Sequence, residues 1–165
     1  MKRILHSLCL LAAAACQPSS EAADTPGRDP TPEKPAVERE PAPPAGTLER
    51  KLWDKAGKFA TDLRPTGPAF GGELEEGQRR EQLLVVRFGR CYRMLAVGGP
   101  EVEDLDLVLF DDDNVQVQRD FGQDPYPVLG LRSEICPRGH GAYRVQIGMF
   151  KGRGEYLARA YELGD

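Results

Sequence analysis

From residue 70 onward apolar and polar side chains alternate in short runs, each closed by Gly, Pro, Asp or Asn. Between residues 104 and 110, Leu105, Leu107 and Leu109 alternate with Asp104, Asp106 and Val108, so an extended strand there carries one apolar face. Tyr143, Val145, Ile147 and Met149 repeat the pattern against Arg144, Gln146 and Gly148, as do Val115 and Val117 against Gln116 and Gln118. Turn chemistry separates the runs at Gly98-Gly99-Pro100, Asp112-Asp113-Asn114, Asp124-Pro125 and Gly152-Arg153-Gly154. The predicted strands are 72–75, 81–88, 91–97, 104–110, 115–120, 128–132, 142–150 and 155–162. About eight short strands at intervals of roughly 8–12 residues predict an all-β domain over 70–165, an antiparallel β-sandwich with jelly-roll-like topology.

Upstream the period changes. Leu48, Leu52, Ala56, Phe59 and Leu63 recur at helical spacing, with Trp53 and Ala60 widening the stripe. Thr47 suits the N-cap, and Pro65, Gly67 and Pro68 stop the pattern, which predicts one helix over 47–64 packed on the sheet with Trp53 in the core. Before it, residues 17–46 are Pro, Ala, Glu, Ser and Thr with almost no large apolar side chains. Such a segment buries too little surface to offset its ordering entropy, so it is expected to be a disordered, extended tether.

The first 15 residues read as a signal peptide: Lys2 and Arg3, an apolar stretch too short to span a bilayer, then small residues. Leu10 to Cys16 resembles a bacterial lipobox, in which Cys16 is diacylated and becomes the mature N-terminus, although Ala13 stands where leucine is usual. Acyl chains at about 0.8 kcal/mol per buried CH₂ would then hold the chain on the membrane, and Gln17 fits outer-membrane sorting. Cleavage by ordinary signal peptidase, leaving Cys16 a plain thiol, is the alternative.

Charge and cysteine usage narrow the class. The net charge of −4 over 165 residues lacks the clustered basic face that nucleic acid requires, so no nucleic-acid partner is expected. Cys91 and Cys136 sit in the predicted sandwich; in an exported domain they most simply pair, stapling it across its two sheets. Closing that loop removes about 4 kcal/mol of denatured-state entropy. Zinc is the competing use, but there is no C-x-x-C and His140 is the sole histidine downstream of the leader.

Gly89-Arg90-Cys91-Tyr92, the stretch EDLDLVLFDDDN at 103–114, and Cys136 followed by GAYRVQIGMFKGRGEYLARAYEL at 141–163 resemble the bacterial pre-peptidase C-terminal domain, in the diverged form found in lipoproteins of predatory soil bacteria. The resemblance covers about residues 71–163. It implies a β-sandwich or jelly-roll fold and a non-catalytic accessory role, and some collagen-binding members of that family hold calcium.

Glu103, Asp104 and Asp106 at one end of the predicted fourth strand, with Asp111, Asp112 and Asp113 at the other, are the candidate metal ligands, since Ca²⁺ takes several hard oxygen donors. The two groups stand about 20 Å apart on an extended strand, so the plainer expectation is a hairpin turn and a solvated face, with no cofactor. Phe121 and Tyr126, with Tyr161, are the candidate ligand face, and the equal alternative is that Phe121 and Tyr126 only fold a long loop onto the core. No G-x-S-x-G is present, and His140 lies in a glycine-flanked loop without a serine or cysteine nucleophile beside it in sequence. The chain therefore reads as a non-enzymatic outer-membrane lipoprotein whose sandwich binds an envelope protein or a glycan. A calcium-dependent extracellular binding module is the alternative, and a stand-alone hydrolase a remote one.

Overall fold

The computed structural model describes residues 41–163; the leader, Cys16 and most of the tether lie outside them. Helix α1 (Leu48–Phe59) is followed by eight strands: β1 (Leu63–Leu74), β2 (Arg79–Val86), β3 (Tyr92–Gly98), β4 (Val102–Phe110), β5 (Gln116–Arg119), β6 (Val128–Leu129), β7 (Gly141–Gly152) and β8 (Gly154–Leu163). They form two four-stranded antiparallel sheets, β1-β8-β3-β6 and β2-β7-β4-β5. The first strand pairs with the eighth, the second with the seventh, the third with the sixth and the fourth with the fifth. That is a long folded ribbon wrapped into a barrel-like sandwich, the jelly roll.

The alternation seen in sequence decides the core. Leu105, Leu107 and Leu109 of β4 and Val145, Ile147 and Met149 of β7 meet Met94, Ala96 and Ala158 from the other sheet, all of them buried. Tyr92 is buried there too, and its phenol oxygen accepts the Arg87 N–H at 2.9 Å, which satisfies its polar end. Strand β3 is buried on both faces. Leu95 and Val97 point the other way and pack under α1 with Leu52, Ala60 and Tyr161.

Helix α1 is capped as expected: Thr47 Oγ1 accepts the Arg50 N–H at 3.1 Å. Its C-terminal Phe59 carbonyl accepts from the Arg93 guanidinium of β3, and Lys51 Nζ donates to the Gly98 carbonyl at 3.3 Å, so the helix is fastened to the sheet at two points. Trp53 is not core. It lies 41% exposed on the solvent side with the Arg50 guanidinium over its ring, because a 12-residue helix crossing the sheet buries only a narrow stripe centred on Leu52.

The predicted helix over 47–64 is too long, and the predicted sandwich start at 70 too late. The helix ends at Phe59, and β1 begins at Leu63, opposite Leu163. Pro65 and Pro68 lie inside this strand. They are tolerated because β1 is a sheet edge, where a missing N–H costs no ladder bond, and because the pairing slips between Thr66 and Phe70. The disulfide Cys91–Cys136 is formed, with 4.2 Å between Cα atoms. It does not cross the sandwich: Cys91 precedes β3, and Tyr92 pairs with Ile135, so the bond fastens the 130–140 connector alongside β3 in one sheet.

Candidate functional site

The two sheets differ in what covers them. Helix α1 shields the outer face of the β1-β8-β3-β6 sheet, while the outer face of β2-β7-β4-β5 has no helix over it among the described residues. Cross-strand register sets that bare face in rows: Leu83, Arg144 and Phe110 form one, and Glu81, Gln146 and Val108 the next. Arg144 is the centre. Its guanidinium lies 4.3 Å from the Phe110 ring centroid and bonds Glu81 and Asn114, while Gln146 Nε2 reaches the same Glu81 carboxylate at 3.2 Å.

The edge of this face is strand β2, paired on one side only among the described residues. Leu83 and Val85 point outward from it at 63% and 70% exposure, and Phe88 beyond its end is equally open. Gln82 folds its side-chain amide onto the Leu83 carbonyl, which marks that carbonyl as facing the free edge. Arg79, Arg80 and Arg87 flank the strip as exposed side chains. Between β2 and β1 the sandwich opens into a cleft of about 200 Å³, floored by Phe70, Leu84, Met94 and Val145 and made by the slip in β1 at Gly67-Pro68. An unpaired strand edge, apolar side chains and a cleft behind them are the parts that accept an extended chain.

The acidic residues singled out from sequence do not converge. Glu103 pairs with Lys151, and Asp106 with Arg119 at 3.1 Å. At the far end of β4, Asp111 accepts the Val115 N–H at 2.8 Å and Asn114 adopts φ +62°, so Asp112 and Asp113 are the exposed tip of a hairpin. Asp104 is the exception. It is buried, and burial, then the like charges of Asp106, Asp120 and Asp124, hold its pKa above the ordinary aspartate value. A raised native value means the folded state binds the proton more tightly, so this contribution to stability is full below pH 3.8 and is lost as pH rises through the native value. Asp104→Asn should therefore be more stable than the native chain near neutrality, by about 1 kcal/mol, with the difference shrinking as pH falls toward 3.8. Paired urea titrations at several pH values in EDTA measure it; a gap that widens in acid would contradict the assignment.

The aromatic face read from sequence does not form. Phe121 stands exposed, but Tyr126 joins the α1 cluster with Lys55 Nζ 3.9 Å from its ring centroid, and Tyr161 is buried. His140 lies in the exposed connector. Leu83 and Val85 carried a signal that periodicity passed over: residues 83–86 are Leu-Leu-Val-Val, an unbroken apolar run where a half-buried strand alternates.

No protein-family model matches the sequence, and no curated protein does. Among solved structures, the chain is similar to PliG of Aeromonas hydrophila, a periplasmic inhibitor of g-type lysozyme. The TM-score is 0.44 at 14% identity, over 63% of this chain and 90% of that one. Likeness at that distance carries no functional argument.

Proposed function

We propose that this chain is a non-catalytic binding module of the cell envelope, held on the outer membrane through Cys16, whose β2 edge receives an extended segment of a partner protein. The fold is of the kind the pre-peptidase C-terminal resemblance implies, and the formed disulfide suits an oxidising compartment outside the cytoplasm. The β2 edge is the observation that carries the reading. Leu83, Val85 and Phe88 are exposed together beside an open strand edge and an apolar cleft. Monomeric proteins usually blunt such an edge or cover it.

The chemistry of the edge specifies its occupant. Arg79, Arg80 and Arg87 surround the apolar strip on a chain whose net charge is negative, so an extended segment that alternates apolar and acidic residues fits. Main-chain bonds to the edge would supply affinity, and Leu83 and Val85 would supply choice of side chain.

A photo-cross-linking residue placed at Gln82 of the native, envelope-located protein tests this. One envelope protein should be captured, and capture should fall about tenfold or more in Leu83→Lys/Val85→Lys, while the thermal midpoint of the domain stays unchanged. Undiminished capture in that variant would exclude the β2 edge.

A further inference from the structure

Asp104 is the one charged residue among the described residues that is buried, with 7% of its surface exposed. Its Oδ1 has no hydrogen-bond partner among the described residues. The cations nearest to it are spent elsewhere: Lys151, its register neighbour on β7, is bound to Glu103, and Arg119 to Asp106. An orphaned, buried carboxylate oxygen costs about 1–3 kcal/mol, more when it is charged.

Two further carboxylates come from the connector between β5 and β6. The Leu105 N–H donates to the Asp124 carbonyl at 3.2 Å and fastens that connector beside Asp104. Gly122 lies between the other two acids: a Cβ there would stand 3.0 Å from Asp120 Oδ2 and 3.5 Å from Asp124 Oδ2. Both carboxylates are already held by main-chain donors. Asp120 accepts from Gly122 at 2.9 Å and from Val128 at 3.4 Å, and Asp124 accepts from Tyr126 at 2.7 Å. Each oxygen keeps a lone pair. Burial is also the main reason that Asp120 binds its proton more tightly than usual.

We propose that Asp104, Asp120 and Asp124 form a binding site for a hard divalent cation of the calcium class. A divalent ion supplies the missing partner of Asp104 Oδ1 and removes the repulsion among three acids. The site differs from the acidic turn at 111–113 and is separate from the β2 edge. Among the described residues, only Cys91, Glu134 and Cys136 have ligand atoms all within 4.8 Å of one another, and those two sulfurs are joined in the disulfide. Binding therefore requires the three carboxylates to move closer together. Calcium, with bonds of about 2.3–2.6 Å and six to eight donors in flexible geometry, accommodates such a site better than magnesium, which demands a near-ideal octahedron.

Thermal unfolding of the full chain, stripped with EDTA and then given about 5 mM calcium chloride, tests the site at a concentration above the roughly 10⁻⁴–10⁻³ M affinities of extracellular modules. Calcium should raise the midpoint of the native protein by several degrees. The rise should vanish in Asp104→Asn and in Asp120→Asn, both folded by circular dichroism, and persist in Asp112→Asn/Asp113→Asn. No rise in the native protein overturns the proposal, as does a full rise in Asp104→Asn.

Discussion

The Cys91→Ser/Cys136→Ser double variant is expected to be about 4 kcal/mol less stable than the oxidised protein. The bond joins residues 45 apart, a span that includes β3, β4, β5 and β6 and thus half of the strands. Opening it frees the denatured chain far more than the native one, because the backbone pairing of Tyr92 and Ile135 keeps the connector against β3 after the sulfurs are gone: each N–H donates to the other's carbonyl, at 2.8 and 3.2 Å. Loss is thus expected mainly in the unfolding free energy, with native far-ultraviolet dichroism little changed. Urea titration of the variant against the native protein, with and without reductant, measures it. A difference below about 1 kcal/mol would mean that the denatured state is already compact across this span.

Gly152→Val is expected to cost about 2–4 kcal/mol, from backbone strain and displacement of a neighbouring strand together. Gly152 closes β7 at φ +88°, where a side chain is strained whatever its size. A Cβ there would also stand 2.3 Å from the Glu101 carbonyl and 2.9 Å from the Glu103 nitrogen, both main-chain atoms that cannot swing aside. The consequence reaches the core, since this turn carries the chain from β7 in one sheet to β8 in the other. Gly57 is the control. It sits in α1 with nothing within 4 Å of its Cβ position, so Gly57→Ala should stabilise by about 0.5–1 kcal/mol. Chemical denaturation of the two variants side by side separates a glycine required by geometry from one that is not; equal and small effects would contradict the first.

These expectations share a cause with the proposed activity. The helix covers one sheet, the disulfide and the glycine turn fasten the connections, and the other sheet is left with an apolar edge. A rigid frame of this kind would present the proposed extended-chain receptor at low ordering cost, because the receiving strand is already in place.

The sequence by itself determined the local elements. Period-two alternation in 104–110 and 142–150 placed β4 and β7 within a few residues, and the Thr47 cap with the Leu52 stripe placed α1. The Asp112-Asp113-Asn114 turn was legible because a hairpin tip needs residues that accept left-handed backbone, and Asn114 does so. What it left open are matters of long-range pairing. A short turn reads the same whether it closes a hairpin or carries the chain between sheets: Asp112-Asp113-Asn114 joins β4 to β5 in one sheet, whereas Gly98-Gly99-Pro100 and Gly152-Arg153-Gly154 cross. Pro65 and Pro68 argued for a stop, since proline breaks both helices and inner strands; only the position of β1 at a sheet edge makes them strand residues. Asp104 looked like one more solvent-facing acid in an alternating run, and its burial depends on the 120–127 connector folding over it. Leu83 and Val85 stand in an unbroken apolar run within the predicted strand 81–88, and they are exposed because β2 is the last strand of a sheet whose outer face no helix covers among the described residues. Periodicity along a chain records which residues share a face. Only the tertiary arrangement decides whether that face meets another layer or water.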